Sequence, residues 1–203
     1  MVVDTTVQEK NITFPTDAKL LSRAIMKLAD HCLLHGVKLR QSYSRKSKEW
    51  QRKASEYGAR RHFGKLKECN QDLKNWLGCV LRDIEKKREN KAVSPNFLQL
   101  IDLSNKLLVQ EKDTKKIYSL HEPEVCCIGK GKDHVRYEFG QKAAVVKTNS
   151  RNWVVNVEDI PDNAYDGHTL DLLRNLFHAF SALRISQTSL VLNRCLRLRF
   201  LYG

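Results

Sequence analysis

The side chains with obvious chemical potential in this 203-residue chain are spread along it rather than gathered in one motif. Asp4 lies within Met1-Val-Val-Asp-Thr-Thr-Val7, a segment rich in β-branched residues. A carboxylate on such a strand is either an ordinary hydrogen-bonded residue or a ligand for a hard cation such as Mg²⁺. Glu138, Asp166 and His168 are further titratable groups, and the last two fit a helix-start cap with a polar neighbour. His121, Cys126, Cys127 and His134 are the residue types of a zinc site. Adjacent cysteines on a strand point to opposite faces, however, and none of the six cysteines forms a Cys-x-x-Cys. The thiols therefore read as small buried apolar groups of a reducing compartment.

Basic chemistry is more concentrated. Tyr43, Trp50 and Tyr57 recur every seven residues, with Arg45, Lys46, Lys53 and Arg60 beside them. Aromatics interleaved with cations can stack on bases and meet phosphates. An aromatic stripe at heptad spacing is equally the mark of a packing seam, which is the preferred reading for the rings. Between Val37 and Lys91, 17 Lys and Arg face 7 Asp and Glu, a net +10. Lys130-Gly131-Lys132 is a second basic group, either a phosphate contact or a solvated turn.

These side chains need elements to position them. Residues 1–17 supply a strand and then helix-start chemistry at Thr16 or Asp17. The following helix carries Leu20, Leu21, Ala24, Ile25, Leu28, Ala29, Cys32 and Leu33 on one face, and Gly36 is its natural stop. Leu66, Cys69, Leu73, Trp76, Leu77, Val80 and Ile84 repeat at three- and four-residue steps, as a helix seeking a partner does. Ser94-Pro95 is an N-cap followed by a first-turn proline. Lys116–Leu120, Val135–Thr148 and Asn152–Val157 are strand-like, with Thr148-Asn149-Ser150-Arg151 as a hairpin connection. A strand, a helical block over 18–115 and strands over 116–170 together predict an α/β sheet protein carrying a large all-helical insertion after its first strand.

Lys and Arg total 36 against 23 Asp and Glu, so the formal charge of +13 favours a polyanionic partner, most simply nucleic acid. No apolar run approaches the roughly 18 residues of a membrane span, and no signal-peptide core follows Met1. A cytoplasmic protein without a membrane partner is expected.

Several segments in order resemble the insertion-sequence DDE transposases of bacteria. They are Val3–Ile12 with Phe14-Pro15-Thr16-Asp17, Lys116-Ile117-Tyr118-Ser119-Leu120-His121-Glu122-Pro123-Glu124, Lys130-Gly131-Lys132, Tyr137-Glu138-Phe139-Gly140 and Asp166-Gly167-His168-Thr169-Leu170. The resemblance implies a partial RNase H-like core with a mixed sheet, and places the first of three metal-binding acids at Asp4, as catalytic residue and metal ligand on a central strand. Two Mg²⁺ or Mn²⁺ ions about 4 Å apart would serve phosphoryl transfer on DNA in such a family. Transposon-end DNA is the implied partner, with Arg45, Lys46, Lys53, Arg60, Lys130 and Lys132 as its contacts; a homo-oligomer stays open.

The family's second acid, in Asp-x-Gly-Tyr, and its later Glu are missing. After Asp166 the only acid is Asp171. Leu, Arg and Ser make up 17 of residues 171–203, and the segment has no Lys. These three amino acids have the most codons, so a frameshift near Leu170 is the hypothesis, with a poorly packed tail as its consequence. It fails if the neighbouring reading frame encodes no Asp-x-Gly-Tyr and no later Glu. The strand beginning at Met1 carries a matching expectation, a truncation that removed an N-terminal DNA-binding region. Two functions from different classes follow: a transposase lacking catalytic activity, or a non-catalytic DNA-binding protein acting through its helical block.

Overall fold

The structure, a computed structural model, describes residues 2–88, 93–110, 116–129, 136–160 and 164. The elements in chain order are β1 (Val2–Glu9), α1 (Asp17–Leu34), α2 (Ser44–Ala59), α3 (Phe63–Arg88), α4 (Pro95–Val109), β2 (Cys126–Gly129), β3 (Tyr137–Lys147) and β4 (Val154–Ile160). The protein is mixed α/β, and no helix among the described residues is long and apolar enough to cross a membrane.

Local chemistry sets the helix ends. Thr16 is the N-cap of α1, its hydroxyl accepting from the Lys19 N–H at 3.4 Å. Gly36 sits at φ 63° just past the end, where a left-handed residue lets the chain turn away. Ser94 caps α4 in the same way, accepting from the Phe97 N–H, and Pro95 occupies the first turn, where its missing donor costs nothing. The basic segment forms two helices, α2 and α3. It breaks at Arg60–His62, where Arg61 takes φ 56° and the His62 N–H donates to the Tyr57 carbonyl.

Two compact units divide the chain: Val7–Gln141, and Met1–Thr6 together with Lys142–Gly203. In the first, α1 packs against α2, α3 and α4, and α3 packs against α2 and α4. Ile25, Leu28, Leu73, Leu77, Ile84 and Phe97 are fully buried at the centre of this core. Fully removing such side chains from water is worth about 1.5–3 kcal/mol each, so this packing is what holds the helices together. Leu33, counted on the apolar face from spacing, is instead 84% exposed.

The strand order is β1-β3-β2, with β4 also paired to β3. Cys126–Gly129 lies against Tyr137–Gly140, and Lys142–Lys147 against Val154–Ile160 with an irregularity at Val146/Lys147; both registers are antiparallel. Where a mixed sheet is expected, these registers are antiparallel. Among the described strands β1 pairs with β3 alone, so Asp4 is on an edge of the sheet as described and not at its centre. Lys116–Leu120 is not a strand. Ile117 is buried in the helical core and donates its N–H to Gln110 Oε1, while the Ser119 hydroxyl accepts from the N–H groups of His121 and Glu122. Side chains there satisfy backbone groups that a ladder would otherwise take.

Candidate nucleic-acid interface

The seven-residue aromatic stripe lies at the α2–α3 contact. Tyr43 stacks on Trp76 with ring centres 5.6 Å apart, and Trp50 meets Trp76 edge-on at 5.3 Å. The Trp50 indole N–H donates to Asp72 Oδ2 at 2.9 Å. All three aromatics pack against the helical core. They are a seam between helices, and their faces are committed to protein.

The cations beside the stripe divide into two classes. Lys53 is tied to Glu49 at 2.7 Å and lies 4.0 Å above the centre of the Trp50 ring, and Arg60 is tied to Glu56 at 2.9 Å. The hydrogen bond from Lys53, followed by its charge and those of Arg52 and Lys46, holds the Glu49 carboxyl below its ordinary range. These two cations are half-answered within their own helix. Arg45 and Lys46 are exposed and have no ion pair among the described residues, and Lys48 and Arg52 are exposed as well. Lys130 and Lys132 lie outside the described residues, as do His134, Asp166, His168 and Cys195.

A second basic surface escapes sequence reasoning. The loop after α1 and the C-terminal half of α3 enclose a cleft of about 430 Å³ lined by Arg40, Gln41, Tyr43, Cys79, Arg82, Asp83 and Lys86. Its walls are fastened by two bonds. The Arg40 N–H donates to Asp83 Oδ2 at 2.6 Å, and Lys87 Nζ donates to the Lys38 carbonyl at 2.8 Å. Lys87 also pairs with Asp83 at 2.8 Å. Partial burial pushes the Asp83 carboxyl up, but the bonds from Lys87 and Arg40 outweigh it and hold the group below its ordinary value. The only signal of this cleft in the sequence is Cys79, Arg82, Asp83 and Lys86 recurring on one helical face.

The proposed catalytic residue has different surroundings. Asp4 is exposed on β1. Among the described residues no group of three His, Cys, Asp or Glu side chains is placed to hold a metal ion. Cys126 and Cys127 on β2 are partly buried thiols, and burial pushes the Cys127 thiol up. Burial likewise raises the Cys32 thiol to about 11, so it is an inert core group.

Comparison with known proteins adds a partial likeness. A stretch of 61 residues is 46% identical to the uncharacterized protein ORF8 in the nfe locus of Rhizobium meliloti. The match covers 30% of this chain and 30% of that protein. No protein-family model matches, and neither does any solved structure.

Proposed function

We propose that this chain is a non-catalytic DNA-binding relative of the DDE transposases, acting in the cytoplasm through its helical unit. One observation carries the reading: exposed cations on α2 that have no ion pair among the described residues, in a segment of net +10. Phosphate contacts of this kind give affinity without reading bases, so duplex DNA is bound with little sequence preference. Its site of action would be transposon ends, in competition with an intact transposase. The motifs in residues 3–17 and 116–140 support descent from an RNase H-like core, with Asp4 as the inherited ligand for Mg²⁺ or Mn²⁺.

The described acids do not fit a two-metal centre. Asp4 is exposed, no three ligating side chains among the described residues converge, and Asp171 is the only acid in the sequence after Asp166. A lone carboxylate leaves most of the Mg²⁺ shell as water and cannot clamp both sides of a phosphate. No cleavage step is therefore assigned.

Fluorescence anisotropy on a labelled duplex across a salt series tests the proposal. Four to six phosphate contacts give a slope of log K against log salt near −4 to −5. Replacing Arg45, Lys46, Lys53 and Arg60 together by Ala should lower that slope by about two rather than four, since each contact contributes about 0.9 and two of these cations are held by Glu49 and Glu56. A flat salt titration of the parent protein sinks the binding reading. Plasmid nicking with Mg²⁺ or Mn²⁺ that disappears in Asp4→Ala sinks the non-catalytic one.

A further inference from the structure

We infer that the cleft between the Lys38–Tyr43 loop and α3 is a binding site for a phosphate group, gripped by Arg40, Arg82 and Lys86. This goes beyond the DNA reading, because it names a built pocket and the group it takes, and it stands on observations away from the outer face of α2.

Charge is the first of these observations. Three cations, Arg40, Arg82 and Lys86, line the cleft with one carboxylate, Asp83, and a fourth cation, Lys87, pairs with that carboxylate. Lys87 answers that carboxylate, meeting Oδ1 at 2.8 Å and Oδ2 at 2.9 Å, and the Arg40 N–H takes a further bond. Asp83 is thus occupied by the Lys87 ammonium and a backbone N–H, not by the charges of Arg82 and Lys86. The guanidinium of Arg82 has one weak protein contact, to Cys79 Sγ at 3.4 Å, and neither Arg82 nor Lys86 has an ion pair among the described residues. Arg82 and Lys86 are an (i, i+4) like-charge pair, which destabilises a helix unless an anion lies between them. The helix dipole favours Lys86 in the last turn of α3. It accounts for neither Arg82, more than a turn earlier, nor Arg40, which comes from a loop.

Rigidity is the second. The loop backbone is fastened to α3 at Lys38 and at Arg40, so the positions that carry the cations of the two elements are held side by side without a ligand. Tyr43 closes one wall, itself stacked on Trp76. A preformed backbone frame spares the cost of ordering the loop on binding. Two guanidiniums suit phosphate, because each offers paired N–H donors to two oxygens at once. The cleft volume of about 430 Å³ falls within the range of small-ligand sites. The phosphate can belong to a DNA backbone or to a free phosphorylated molecule, and the two sources are separable.

Cys79, partly exposed in the cleft wall, is the reporter, with Cys126 and Cys127 as internal references. The full chain is labelled with a small maleimide, and each cysteine is followed by peptide mass spectrometry. Additions are millimolar inorganic phosphate, millimolar pyrophosphate, a duplex oligonucleotide, or chloride at matched ionic strength. Phosphate and pyrophosphate should slow Cys79 labelling several-fold and leave the references unchanged, while chloride has no effect. Protection by the duplex as well identifies the DNA backbone as the source. Arg40→Ala/Arg82→Ala/Lys86→Ala should then reduce the salt slope by two to three, with α-helical circular dichroism unchanged. Protection by pyrophosphate without protection by DNA supports the cleft and assigns it to a free phosphorylated molecule. Equal labelling of Cys79 in every condition overturns the cleft. If the parent binds DNA with a steep slope in that case, the α2 reading survives alone.

Discussion

Gly140 shows how little room the sheet leaves at one position. A Cβ there would collide with the backbone carbonyl group of Gln8 and crowd the Glu9 Cα. Backbone cannot swing aside as a flexible side chain does, so Gly140→Ala should cost at least the about 1–3 kcal/mol of ordinary overpacking. Urea unfolding followed by circular dichroism checks this, and an unchanged midpoint would contradict the close approach of β1 to β3. Asp83 gives a residue-scale effect with a sign. Its folded pKa lies below the ordinary 3.8, so its contribution to stability is present above about pH 4 and fades as pH falls through the lowered value. Asp83→Asn should therefore be less stable than the parent at pH 6, and the gap should close towards pH 3. A gap that stays constant between those pH values would mean that the charge of Asp83 does not stabilise the fold.

At the scale of elements, Ser94 does two jobs. Its hydroxyl caps α4 through the Phe97 N–H and lies 3.1 Å from His35 Nε2. Removing an N-cap hydroxyl costs about 1 kcal/mol, so Ser94→Ala should lose somewhat more than that, and Ser94→Asp should recover the cap. Thermal melts of the two variants separate a capping loss from a general packing loss, since only the former is restored by Asp. Such caps were legible beforehand. Thr16, Gly36 and Ser94-Pro95 act within a few residues of their own positions, and their chemistry alone placed the ends of α1 and the start of α4. The break at Arg60–His62 was not legible, because no Pro or Gly occupies it. Arg61 takes positive φ there, with its N–H on the Gly58 carbonyl and the His62 N–H on the Tyr57 carbonyl. Lys116–Leu120 has strand composition but no partner strand among those described, and pairing is a tertiary property that composition does not carry. The phosphate cleft was hidden for the same reason. Its defining bond joins Arg40 to Asp83, 43 positions apart, whereas the aromatic stripe has a local period, and its packing as a seam is legible from that spacing.

Across the whole molecule, apolar burial is uneven between the two compact units. The helical unit buries a continuous core from Ala18 to Ile117, drawing on all four helices. In the other unit the described core is Ala144 and Ile160 with Ala164 against them, while Trp153, Val154 and Val157 are exposed. Sub-global opening tracks local burial: regions with few buried apolar contacts open at a small fraction of the global free energy. Hydrogen exchange at neutral pH should therefore be staged. Peptides covering Val154–Ile160 are expected to exchange early, and those covering Leu20–Cys32 and Leu73–Ile84 late. The DNA-binding reading requires the helical unit to keep its structure while β4 opens, since the cations that carry it are on α2. Duplex DNA should consequently slow exchange in 44–60, extend that protection to 38–43 and 79–87 where the cleft takes its phosphate from the DNA backbone, and leave 154–160 untouched. Simultaneous exchange of β4 and α3 would show one cooperative unit instead of two. Protection confined to 154–160 would move the nucleic-acid surface off the helices altogether.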